Sequence, residues 1–150
     1  MSFLPTVWNV LHDGSIVGLS GNVPGTVRVE MDIDYLRRRF PDAGKTIVVT
    51  LDGCTRFAYR PYEIKKGLPP NEKFITDFEA IVALKPLILD AEMRGSVAIV
   101  AGSYGVFEAA ALGGSLSLDS GRTITLDELI AVAEAYWAEF RERSKKKTSD

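Results

Sequence analysis

The sequence predicts one α+β domain: a mostly antiparallel sheet of about six to eight strands, rolled or paired into a sandwich, with an amphipathic C-terminal helix packed on it and one short central helix. Three observations carry this. Residues 26–34 read T-V-R-V-E-M-D-I-D, so Val27, Val29, Met31 and Ile33 fall on one side of an extended chain and Thr26, Arg28, Glu30, Asp32 and Asp34 on the other. That period of two belongs to a strand with one face in a core and one in water. Asp52-Gly53 separates two β-rich runs, residues 45–51 and 54–60, and Asp-Gly there predicts a hairpin, because both central residues of a type I′ turn need positive φ. Finally, Thr125 and Glu128 form a capping box ahead of an apolar stripe, Leu126, Leu129, Ile130, Ala133, Trp137 and Phe140, at helical spacing.

The remaining elements follow in chain order. Residues 3–11 are apolar and too short to stand alone, and Trp8 is expected to pin them across the edge or end of the sheet. Residues 15–19 read as a first strand, and the turn-rich stretch 21–25 links it to the alternating strand. Leu36 and Phe40 lie four apart before Pro41, which suggests one helical turn. Residues 60–70 hold Pro61, Gly67, Pro69 and Pro70 and read as a long exposed loop. Phe74, Phe78, Ile81 and Val82 place a short helix over residues 75–83.

Strands follow at 87–93, with Leu87, Leu89, Ala91 and Met93 opposite Ile88, Asp90 and Glu92, and at 96–101, apolar on both faces and so expected to be central and covered on both sides. Two more, near 106–111 and 115–119, are split by Gly113-Gly114. In the last helix Asp127 and Glu128 meet the positive end of the dipole, and Arg141, Arg143 and Lys145 the negative end. Residues 1–144 form the single domain, and 145–150 a disordered basic tail.

Composition narrows the function. A chain of 150 residues with 46% hydrophobic and 25% charged residues buries about 68–70% of its unfolded surface without staples. The net charge of −2 argues against nucleic-acid binding by bulk positive charge. Cys54 is the only cysteine, which excludes an intramolecular disulfide and a cysteine-based structural zinc site, and reads as a packing residue. The first residues lack a basic n-region and a long apolar h-region, so no signal peptide is expected, and no apolar run reaches membrane-spanning length. A cytoplasmic protein without metal, cofactor or membrane contact is expected.

Chemistry has few resources. His12 is the only histidine and Asp13 follows it. One histidine cannot supply the ligands of a metal-dependent phosphohydrolase. A relay from His12 and Asp13 to Ser15 or Ser103 is formally available, but the G-x-S-x-G spacing of a nucleophile elbow is absent. No Walker A motif occurs, and the glycines at 102–105 and 113–114 read as turns before they read as a phosphate nest. Phe57 and Tyr59 fit a core or rim, not a stacking platform for single strands.

The charged candidates are more numerous. Arg28, Glu30, Asp32 and Asp34 line the outer side of one strand, and Arg56 and Arg60 could answer them across a ladder or join them in a protein-binding face. Arg37, Arg38, Arg39, Lys65 and Lys66 are candidate loop contacts to an acidic partner.

The stretch L-H-D-G-S-I-V-G-L, followed by T-V-R-V-E-M-D-I, residues 44–51 and the Asp52-Gly53-Cys54 turn, resembles a group of small bacterial proteins. These are uncharacterised and immunity-like domains whose first strand opens with a hydrophobic-His-Asp sequence. The resemblance spans about the first third of the chain, and more loosely the strand rhythm of residues 87–119. It implies a β-rich α+β fold, for which no catalytic residues are established, and a binding role rather than catalysis, as in antidotes of contact-dependent or polymorphic toxin systems. The leading expectation is therefore a non-catalytic protein-binding module, an immunity-like inhibitor of a toxin or effector. The alternative is a small hydrolase or small-molecule-binding domain with its site at His12 and Asp13. Apolar strand edges leave homodimerisation open.

Overall fold

The computed structural model describes residues 3–62 and 74–148. Two antiparallel sheets form the body, and they do not close into a barrel. The first has the order β1-β2-β3-β8-β9 and the second β4-β7-β6-β5. Their strands are β1 (Ser15–Gly21), β2 (Gly25–Asp32), β3 (Thr46–Cys54), β4 (Arg56–Pro61), β5 (Ile88–Arg94), β6 (Val97–Gly102), β7 (Gly105–Ala110), β8 (Gly113–Leu118) and β9 (Thr123–Ile124). The helices are α1 (Phe3–Val10), α2 (Asp34–Arg37), α3 (Phe78–Ala83) and α4 (Leu126–Thr148). The α+β class, the antiparallel pairing and the C-terminal helix agree with the sequence.

Period-2 patterning sets β2 as expected. Val27, Val29, Met31 and Ile33 are buried, while Thr26, Arg28 and Asp32 are exposed. Antiparallel register places Val29 opposite both Leu19 and Val49, so one apolar row crosses three strands. The core between the sheets is aromatic at its centre: Trp8 meets Phe107 edge-on at 5.2 Å, and Phe57 stacks on Phe107 at 5.4 Å. Cys54 packs there as a small hydrophobe, fully buried, and burial raises its thiol pKa.

The predicted hairpin at Asp52-Gly53 is not formed. β3 runs through both residues, and the chain then crosses from the first sheet into the second. Gly53 supplies positive φ (59°), but at a bend. β7 and β8 make the same crossing in the opposite direction alongside, joined to it by Leu112 N–H donating to the Asp52 carbonyl (2.9 Å) and Thr55 N–H to the Ala110 carbonyl (2.8 Å). A two-stranded ribbon thus bends from one sheet into the other, and Asp-Gly serves the bend. Gly113 and Gly114 lie inside β8, opposite Asp52 and Leu51, and do not form the turn expected of them. Gly114 makes room for Phe3: a Cβ there would sit 2.3 Å from the ring.

Two further strands differ from expectation. An irregularity in register between Ile88 and Asp90 turns Ile88 and Ala91 inward and leaves Leu89 and Met93 exposed. β6 is interior in strand order, yet only Ala98 and Val100 are buried; Val97, Ile99 and Ala101 are half-buried, so the outer face is not fully covered.

Phe3–Val10 form a short helix, α1. Leu4 is extended, the regular turns begin at Pro5, which is suited to a first helical position, and Leu4, Val7, Trp8 and Leu11 are buried at helical spacing. The Asn9 side chain donates to the Ala91 carbonyl (3.0 Å) and accepts from its N–H (2.8 Å), occupying the edge of β5. Ile75 pairs with Tyr59 on the edge of β4 through its backbone, each N–H donating to the other's carbonyl (2.6 and 2.9 Å). Two edges open to strand pairing are thereby partly covered. The capping box forms as expected, with Glu128 N–H donating to Thr125 Oγ1 (3.0 Å) and Thr125 N–H to Glu128 Oε1 (3.2 Å). α4 approaches the body chiefly through α1 and α2, and it extends to Thr148, into the segment 145–150. Lys65, Lys66, Gly67, Pro69 and Pro70 lie outside the described residues.

Candidate functional site

The charged residues singled out in the sequence separate into four places. The outer face of the first sheet carries Arg28, Glu30 and Asp32. Register sets Arg28 between Ser20 and Thr50, with Ser115 beyond, and Glu30 between Gly18 and Val48, with Ser117 beyond. Hydroxyls and charges of both signs therefore share this face. Glu30 accepts a hydrogen bond from Thr46 Oγ1 (2.8 Å), whereas Arg28 and Asp32 are exposed and have no ion pair among the described residues. Asp34 stands just past the strand, at the start of α2, bonded to Arg38.

Arg56 and Arg60 are on β4, in the other sheet, so the ladder between them and Glu30, Asp32 and Asp34 does not form. Arg56 pairs with Glu108 across β4 and β7 (2.7 Å), and both arginines lie over the Phe74 ring, 4.9 and 5.6 Å from its centre. The crossing at Gly53 is the reason: it carries residues 56–60 out of the first sheet.

The three consecutive arginines have three fates. Arg37 is 1% exposed and belongs to the scaffold. Its Nε donates to the Thr46 carbonyl (3.0 Å) and Asp119 Oδ1 (2.9 Å), Nη1 to the Asp42 carbonyl (3.0 Å), and Nη2 to the Ala43 carbonyl (3.0 Å) and Asp119 Oδ1 (2.7 Å). A guanidinium fork is the group able to tie so many acceptors at once. Partial burial disfavours the Asp119 carboxylate, but the Lys45 N–H and Arg37 outweigh it and hold its pKa at about 2. Arg38 remains exposed on Asp34. Arg39 pairs with Glu139 of α4 and lies over Tyr136. Only Arg38 of the three keeps the freedom of a loop contact.

His12 follows α1, at the mouth of a cleft of about 530 Å³ between α1 and α4. Val10, Ile130, Ala133 and Trp137 give it an apolar wall; Thr6, Asn9, His12, Glu134 and Arg141 give it polar edges. The imidazole stacks on Trp137 at 5.2 Å with planes 16° apart. His12 Nδ1 lies 2.8 Å from the Asn9 carbonyl, which can only accept, so Nδ1 is the donor of that hydrogen bond. Asp13 has left-handed backbone (φ 70°) and its N–H donates to the Ile88 carbonyl (2.7 Å), which makes it a turn residue. Neither Ser15 nor Ser103 is hydrogen-bonded to His12 through its side chain among the described residues, and Ser15 is tied into β1 opposite Asp32. Among the described residues, the nucleophile–base pair of a hydrolase is not assembled in this cleft.

Beside it, Tyr35 donates to the His12 carbonyl (2.7 Å), and burial, with Asp13 and Tyr136 nearby, raises its pKa. Tyr35, Tyr136, Trp137 and Phe140 continue as a chain of ring contacts along α4. Glu134 and Arg141 were not foreseen as site residues. Their signal was present in the spacing, three before and four after Trp137, but it required knowing that α1 is a helix.

Among the described residues, no three His, Cys, Asp or Glu side chains are placed to hold a metal ion, and no helix is long and apolar enough to cross a membrane. No protein-family model, curated protein or solved structure matches the chain.

Proposed function

We propose that this chain is a non-catalytic protein-binding module of the immunity-inhibitor kind, acting in the cytoplasm on a bacterial toxin or effector through the outer face of its first sheet. The observation that carries the reading is the exposed pair Arg28 and Asp32, set among the serines and threonines opposite them on neighbouring strands. Charges of both signs on a rigid sheet steer a partner and fix its register more than they add raw affinity. The thin catalytic inventory agrees: the lone histidine is stacked and tethered, and no serine is hydrogen-bonded to it. A tagged pull-down at moderate salt tests the reading. One stoichiometric partner should stay with the wild type and leave on Asp32→Lys or Arg28→Glu; retention by both variants would refute this face.

A second reading is favoured by one specific observation, the cleft that holds His12. There the domain binds a small molecule between α1 and α4, with or without a protein partner elsewhere.

A further inference from the structure

Resting on that second reading, we infer that the α1–α4 cleft takes a short apolar peptide with both termini free, about three residues long. Three features of the cleft point to this class. Its wall is apolar, formed by Val10 and Ile130 with the half-buried ring of Trp137, and it suits a hydrophobic side chain better than a sugar or a nucleotide. Its two charged lining residues have opposite sign and come from one helix, Glu134 and Arg141, about two turns apart along α4. Both are exposed, and neither has an ion-pair partner among the described residues. An anion alone would satisfy Arg141 and be repelled by Glu134, and a cation alone would meet the reverse.

Length then selects among zwitterions. Seven residues of helix separate Glu134 from Arg141, about 10.5 Å of rise. A free amino acid carries its two charges much closer together than that. An extended tripeptide spans about 10 Å, so its ammonium can reach Glu134 while its carboxylate reaches Arg141. A carboxylate–guanidinium fork is the stronger of the two contacts and would set the orientation. The central side chain then packs in the apolar part of the cleft beside Trp137 and the His12 ring stacked on it.

Isothermal titration calorimetry on the full chain tests this with Ala-Phe-Ala, its N-acetylated form and its C-amidated form. The free tripeptide should bind, and each block should weaken binding about fivefold, the size expected of one exposed charge pair. Acetylation should cost nothing further in Glu134→Gln, and amidation nothing further in Arg141→Gln. Both side chains are exposed, so neither variant endangers the fold. Equal binding of free and blocked peptides would overturn the zwitterion but leave a ligand cleft. Binding of none of the three would remove the inference, without touching the second reading or the sheet face.

Discussion

The two tryptophans mark two regions that use the same residue type for opposite ends. Trp8 sits on α1 between the sheets, with no exposed surface, edge-on to Phe107 and surrounded by strand side chains. Trp137 sits on α4, half-buried, with His12 stacked on it and the cleft opening beside it. Stability is concentrated in the first region, where apolar area leaves water completely. In the second the ring is pre-oriented but still accessible, the arrangement that binding surfaces use. A fold that buries α1 this deeply can leave α4 half uncovered. It follows that the long, conspicuous C-terminal helix is the lesser anchor, although its stripe is the clearer one in the sequence.

That contrast can be broken by experiment. Trp8→Ala should cost about 3–5 kcal/mol in urea unfolding, the largest loss of any single truncation. Arg37→Ala should come next, at about 3 kcal/mol, because it strands the Asp119 carboxylate and three carbonyls that the fork now ties; Arg37→Lys should not restore them. Trp137→Ala should cost only about 1–2 kcal/mol, in proportion to its half burial, and a loss equal to that of Trp8→Ala would erase the distinction between the regions. Thr125→Ala should remove about 1 kcal/mol through the cap of α4.

A pH titration refines the scaffold side. The Asp119 carboxyl is held at about 2 in the fold against an ordinary 3.8, so its contribution is complete above about pH 4 and is lost as pH falls towards 2. Asp119→Asn should flatten that part of the acid-unfolding curve, and an unchanged slope would show that this carboxyl is not held low in solution.

Local patterning was legible where one interaction decided it. The alternation of residues 26–33 needs only a core on one side, and the capping box needs only the backbone of its own helix. Asp52-Gly53 misled because the dipeptide encodes positive φ and not topology; whether that angle makes a hairpin or a crossing depends on β7 and β8, sixty residues away. Leu89 misled because a bulge shifts the period that alternation assumes. The arginine triplet could be read as three solvated charges, since nothing local reveals that Asp119 waits for Arg37 alone. Of the candidate face, Arg28, Glu30 and Asp32 keep together as their period predicts, and Arg56 and Arg60 leave with the crossing.

The most direct test of the proposed face is carbodiimide footprinting of carboxylates in the purified chain, with and without its captured partner. Labelling of Asp32 should fall on binding, while Glu134 and Glu142 on α4 stay as reactive as in the free chain. Protection of the α4 carboxylates with Asp32 unchanged would move recognition to the helices and contradict the role given to the sheet.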